Sequence, residues 1–445
     1  MLGLALTAML AQAPTGLAPL QSGRWRAQLE SPGGELPFEL VLERAADGAW
    51  RAQIRNEPEV LEAPSVVWSD ERRELTLEFP HYDSRITARA DAEGDELQGV
   101  WRKRKGADKW SEMRFGARRS RSDGAQTPEH YAASRLDELV GPQEAPDARF
   151  FGNWRAQFAS EAAPCVAVWS KQPPVNDTTT PPERPGARVT LRQPRAQFNG
   201  TFLTTLGDYR FLAGRFNFPS EELTLSCFDG AHAFLFKAKL LEDGSLAGDF
   251  WSGDAWHDTW TAVRDDQARL PDPFGLTKLK DGVKLDELAF PDVDGVPRKL
   301  GDAQFAGKAR VVQLFGTWCP NCNDETRYLA ELHERYGARG LSILGLAFEL
   351  TGDFARDSGQ VRKYATHHKI RYPLLVAGVS DKQKASERFP LLDKVRAYPT
   401  TLFVDSKGVV RAVHQGFSGP ATGAAHLKLR EDFERRIETL LAETK

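Results

Sequence analysis

Two of the chain's four cysteines, Cys319 and Cys322, stand three residues apart within the segment QLFGTWCPNC, Gln313 to Cys322. Thiols at this spacing serve reversible disulfide exchange, half of a zinc site, or a small-residue knot in a core. Zinc needs two further ligands, yet Cys165 and Cys227 are remote and isolated, and His367 and His368 bring no second C-x-x-C. The run before the motif, ARVVQLF from Ala309 to Phe315, is almost continuously apolar, as a strand covered on both faces must be. The run after it, DETRYLAELHERYG, spaces Tyr328, Leu329, Leu332 and Tyr336 as one face of a helix that stops at Gly337.

Strand, motif and helix in that order put Cys319 at a helix N-terminus, where unpaired amides and the macrodipole favour a thiolate. Pro320 takes the first helical position, where its fixed φ and missing N–H cost nothing. Cys322 falls one turn inside, within disulfide reach and more shielded. The spacing therefore predicts a nucleophile, Cys319, and a resolving thiol, Cys322, forming a redox-active disulfide with neither metal nor cofactor.

Trp318-Cys319-Pro320-Asn321-Cys322 in this context resembles the active site of thioredoxin-fold proteins. The region from about residue 274 to 445 is similar to the TlpA/ResA-like branch of exported thiol–disulfide oxidoreductases. The WCxxC, a helical insertion after the LAFE strand, and AYPTTLFVDSKG at the expected distance carry that resemblance. It implies that Pro399 is the cis proline facing the disulfide, and that Tyr398 and Pro399 present backbone to a substrate beside Trp318 and Pro320. Glu325 matches the acidic residue that ResA-like members hold near the buried thiol; as a residue close to a helix start it also has a plain, solvated explanation. Cytosolic thioredoxins carry an aspartate six residues before the first cysteine, and here that position is Gln313, which cannot shuttle a proton. Arg327 stands where the family often has proline.

The elements that position this motif occupy only the last third of the chain. Upstream, the sequence repeats itself: GRWRAQL (Gly23 to Leu29) returns as GNWRAQF (Gly152 to Phe158), and ELTL at Glu74 to Leu77 returns at Glu222 to Leu225. ELQGVW (Glu96 to Trp101) corresponds to SLAGDFW (Ser245 to Trp251), each followed by a tryptophan, Trp110 or Trp260. Both copies alternate apolar and polar residues between Gly- and Asp-containing turns, the pattern of short antiparallel strands. The repeated Trp25, Trp101, Trp154 and Trp251 read as core residues, and His232 and Asp208 as turn residues.

The expected architecture is multidomain: two related antiparallel β domains, barrel- or sandwich-like, followed by an α/β thioredoxin-like domain. The boundaries are a signal peptide at 1–13, a first β copy at 20–119, a linker at 120–148, a second copy at 149–268 and the redox domain at 274–445. A Pro- and Thr-rich loop, Lys171 to Gly186, interrupts the second copy.

With 59 Lys and Arg against 62 Asp and Glu, the net charge of -3 and the lack of any single-sign block exclude a nucleic-acid tract or polybasic membrane face. The opening MLGLALTAMLAQAPTG ends its apolar run in a small-x-small site but lacks a charged start, an atypical signal that predicts a periplasmic or otherwise exported protein. No transmembrane segment is expected in the mature chain.

The predicted function is a thiol–disulfide oxidoreductase, in the reducing direction, acting on protein disulfides; the resemblance implies a membrane electron donor. The alternatives are a cell-envelope binding protein whose redox domain is auxiliary, and a peroxiredoxin-like peroxidase. The latter's P-x-x-x-[ST]-x-x-C pattern requires Pro at Val312 and Thr or Ser at Gly316.

Overall fold

The computed structural model describes residues 18–56, 58–120, 150–161, 163–171, 198–217 and 220–443. The signal peptide, nearly all of the linker and all but the first residue of the Pro/Thr-rich loop lie outside the described residues.

Alternation of buried and solvent-facing residues builds a nine-stranded antiparallel sheet from Gly23–Ser31 to Trp110–Arg119. Its first strand pairs with both the second and the last, Leu29 opposite Leu36 on one side and Phe115 on the other. The two edges are Glu59–Glu62 and Ser65–Ser69. A second nine-stranded antiparallel sheet runs from Gly152–Phe158 to Trp256–Arg264, and again the first strand pairs with the last. Here Cys165–Lys171 also pairs with Phe198–Thr204, closing a ring of eight strands that leaves out only the two-residue strand Gly207–Asp208. Closure satisfies every edge and makes this sheet a barrel.

Trp25, Trp101 and Trp154 are buried in these cores, but Trp251 is not. The inward position on its strand belongs to Phe250, opposite Asp258, and Trp251 points outward to cover Gly33 of the first sheet. Trp110 and Trp260 likewise hold different registers: Trp110 begins its strand opposite Arg104, whereas Trp260 lies mid-strand opposite Gly248. A one-residue offset exchanges the faces of a strand, so the spacing of tryptophans did not decide which ring enters the core.

From residue 274 the chain forms a five-stranded mixed sheet in the order Leu374–Val379, Leu341–Glu349, Ala309–Phe315, Thr400–Val404, Val410–Gln415. The first three are parallel, and Thr400–Val404 runs antiparallel to both of its neighbours. Ala309–Phe315 lies at the centre with all seven residues buried. Around it pack α1 (Pro320–Tyr336), α2 (Phe354–His367), the short α3 (Lys382–Arg388) and α4 (Ala424–Ala442). Leu329 and Leu332 of α1 and Phe433 and Ile437 of α4 are fully buried in one core with the sheet. Among the described residues, no helix is long and apolar enough to cross a membrane.

Candidate functional site

The central strand ends at Phe315, and the chain turns through Gly316 and Thr317 into α1. Cys319 is the N-cap of that helix, with extended backbone, and Pro320 is its first residue. The Cys319 sulfur accepts from the Cys322 amide at 3.4 Å, so the sulfur itself caps one of the helix's unpaired amides. A thiolate there gains both a donor and the positive end of the helix.

The Tyr398–Pro399 peptide is cis, and the Cys319 thiol donates to the Tyr398 carbonyl at 3.5 Å. Trp318 is half-buried; its indole N–H donates to Phe348 O at 2.9 Å and its ring meets that of Tyr398 edge-on. Trp318 and Pro320 thus flank Cys319 in the chain, the cis Tyr398–Pro399 peptide lies against its sulfur through Tyr398 O, and 8% of the Cys319 residue stays exposed.

Cys322 is fully buried; burial, and next its hydrogen bond to Cys319, push its thiol well above the ordinary range. Glu325 lies in the second turn of α1 and is also fully buried, so the solvated reading of this carboxylate does not hold. Gln313 Nε2 donates to one carboxylate oxygen at 2.8 Å and Thr401 Oγ1 to the other at 2.6 Å. Burial raises the Glu325 carboxyl to about 7, against the pull of those two donors. Gln313 also receives the Thr326 hydroxyl, at 3.1 Å, and Tyr364 OH donates to the Thr326 hydroxyl oxygen at 2.7 Å, completing a polar layer beneath the resolving thiol.

Several contributors were missed in the sequence. Glu349, at the end of the apolar strand Leu341–Glu349, accepts from Thr317 N at 2.9 Å and Thr317 Oγ1 at 2.8 Å, pinning the turn that leads to Cys319; burial raises it to about 7. A charged residue closing so apolar a run was the available signal. The two β domains also reach the motif. Asn321 Nδ2 donates to Asp208 O at 3.3 Å, and the Asp208 carboxylate accepts from Gly419 N at 2.6 Å. Lys103 Nζ, from the first sheet, donates to Ala231 O at 2.9 Å and Trp318 O at 3.5 Å. Arg210 pairs with Glu59 at 3.0 Å, Asp229 at 3.2 Å, and Asp324 of α1. His81 stacks on His367 with centroids 3.7 Å apart. Asp208, expected in a turn, instead ends the two-residue strand Gly207–Asp208, whereas Asp229–His232 is a turn, and both serve as domain contacts. The first-sheet and second-barrel signals were invisible because each contact between domains spans more than a hundred residues.

Cys165 and Cys227 are free thiols buried in the second barrel, where burial pushes both up, Cys165 to about 12. Among the described residues, no group of three or more His, Cys, Asp or Glu side chains could hold a metal ion.

Residues 282–413 match the model of the AhpC/TSA family. The thioredoxin-like protein YneN of Bacillus subtilis is 25% identical over 138 residues, 31% of this chain and 73% of that protein. The thiol-disulfide oxidoreductase ResA of Geobacillus kaustophilus is 25% identical over 164 residues, 37% of this chain and 80% of its own. The thiol:disulfide interchange protein DsbE of Pseudomonas aeruginosa is 28% identical over 140 residues, 32% and 69%. A solved thiol:disulfide interchange protein of the thioredoxin family from Chlorobium tepidum aligns with 36% of this chain and 99% of that one, at 25% identity and a TM-score of 0.27. The C-terminal region therefore has a thioredoxin-like fold, and over residues 282–413 it is similar to the AhpC/TSA family.

Proposed function

We propose that the protein is an exported thiol–disulfide oxidoreductase that reduces disulfides in protein substrates through Cys319 and Cys322. The observation that carries this reading is the pairing of one sulfur at the helix N-cap, receiving the Cys322 amide and touching the Tyr398 carbonyl, with a second, fully buried sulfur one turn below. The Cys319 thiolate attacks one sulfur of the substrate disulfide; the electron pair of the broken bond leaves with the other substrate sulfur. Cys322 then loses its proton to Glu325 and attacks Cys319, forming the internal disulfide and releasing the second substrate thiolate. Two electrons pass to the substrate, and an external reductant restores the dithiol. Trp318, Pro320, Tyr398 and Pro399 form the collar that receives the substrate chain.

The relatives' names support exchange chemistry, and the peroxidase alternative draws no comparable support, since Val312 and Gly316 depart from its pattern. The reducing direction implies an electron donor, with a membrane protein as the proposed source. Potentials in this fold run from roughly -270 to -120 mV, so an equilibrium potential at the oxidising end would refute that direction.

We also propose that the two β domains arose by duplication. Both sheets pair their first strand with their last, and Gly99 and Gly248 each sit where a Cβ would fall on the backbone of the neighbouring strand. Their role in the proposed reaction is to cover the redox face and select what reaches it.

The deciding experiment is trapping with Cys322→Ser, which stalls exchange at the mixed disulfide. Substrates should remain linked to Cys319 after non-reducing electrophoresis. A variant that captures none, while its double variant with Cys319→Ser behaves identically, would sink the reading.

A further inference from the structure

Lys103 occupies an inward-facing position of the strand Glu96–Arg104. Leu97, Trp101 and Lys103 are buried there, while Gln98 and Val100 are exposed. The side chain is buried, and only 5% of the residue reaches solvent. Its ammonium is met there by two main-chain carbonyls from other domains: Ala231 O of the second barrel and Trp318 O, whose residue adjoins Cys319. Carbonyl dipoles satisfy the donors, and among the described residues no carboxylate pairs directly with the buried charge.

The charged and titratable groups facing Lys103 are few. Lys105 is exposed and of the same sign, and His232 lies across the domain contact. Asp229 is already shared between Arg210 at 3.2 Å and His232 at 3.4 Å. Among the described residues, the other group facing Lys103 that can become an anion is Cys319. Cys319 in turn faces Cys322, Tyr398 and Lys382, and Lys382 is exposed, so solvent screens it.

We propose that Lys103 is a positioning residue for the redox centre: seated on the Trp318 carbonyl, its ammonium supplies from another domain the counter-charge that holds the Cys319 thiolate. The inference rests on the reading of Cys319 as the attacking sulfur. Burial brings the Lys103 amine down to about 7, so its charge state answers to its neighbour. The coupling is reciprocal: an ammonium that favours the thiolate is itself favoured by it. When attack converts the thiolate into a disulfide, the anion disappears and Lys103 gives up its proton to the departing substrate thiolate or to water. The first β domain would then tune the chemistry as well as cover it.

The test uses the full chain. Alkylation of Cys319 by iodoacetamide, followed by mass spectrometry through the neutral pH range, should be about tenfold slower at neutral pH in Lys103→Met, with the pH profile displaced upward. Lys103→Arg, which keeps the charge, should restore the rate. In wild-type protein labelled at the lysine ε-carbon, the Lys103 NMR resonance should titrate at higher pH in the dithiol than in the disulfide form. Equal midpoints in the two redox states, or a Lys103→Met profile identical to wild type, would overturn the proposal. If wild-type Cys319 alkylates no faster than a free thiol, the failure belongs to the reading of Cys319 and not to Lys103 alone.

Discussion

Gln313 Nε2 donates to Glu325 Oε2 at 2.8 Å, from the central strand to the second turn of α1. The strand position that bears an acid in cytosolic thioredoxins here holds an amide, and the carboxyl arrives from the helix instead. With Glu325 raised to about 7 by burial, the group is a protonated acid below that pH and a competent base above it. The resolving step should therefore accelerate as pH rises through 7. Glu325→Gln should slow it by about 10²-fold and remove that inflection. Stopped-flow decay of a preformed mixed disulfide, followed against pH, measures both.

Glu349 gives a stability counterpart. Its folded value of about 7 lies above the ordinary 4.5, so between those pH values the folded chain binds more protons than the unfolded one. Its contribution is fully present below the ordinary value and is lost as pH rises through the folded value, by at most about 3 kcal/mol. In Glu349→Gln this part of the slope should vanish. Urea denaturation of both proteins across that window, taken as a difference, isolates it from other titrating groups.

Arg210 is one cation among three carboxylates from three domains: Glu59, Asp229 and Asp324. Removing it strands buried charge, so Arg210→Met should cost about 3–5 kcal/mol. Protection of backbone amides near Asp324 and Glu59 should fall together in hydrogen exchange. Loss confined to one domain would show that the cluster does not join them.

Gly207 has φ of +144°, and a Cβ built there would lie 1.9 Å from the Asn321 amide nitrogen. Gly207→Ala should strain the hairpin, at about 1 kcal/mol, and push it off the motif. Cys319 should then react faster with a bulky maleimide than in wild type. Asn321→Ala should give the same gain without backbone strain, and an unchanged rate in both would mean that this contact does not limit access.

The chemistry of the motif was legible because it is local: strand, cap, proline and helix occupy consecutive residues, and propensity, capping and burial agree there. Glu325 was singled out through the resemblance to ResA-like proteins, but its partners Gln313 and Thr401 lie on two different strands, which no spacing rule connects to it. The sheets were readable from alternation, yet Trp251 was misplaced because alternation fixes a period and leaves the face to pairing. Lys103 was overlooked although it continues the phase of Leu97 and Trp101, since a lysine in an apolar phase makes sense only when Trp318, 215 residues later, arrives to receive it.

Synthesis proceeds from the N-terminus, so both β domains are complete before the strand Ala309–Phe315 leaves the ribosome. Lys103, the Asp208 carbonyl and Arg210 are then in place as a receptor, and the two sulfurs emerge after the surface that covers them. Chain order acts as a safeguard: the two thiols of the motif emerge when the domains that cover them are already complete.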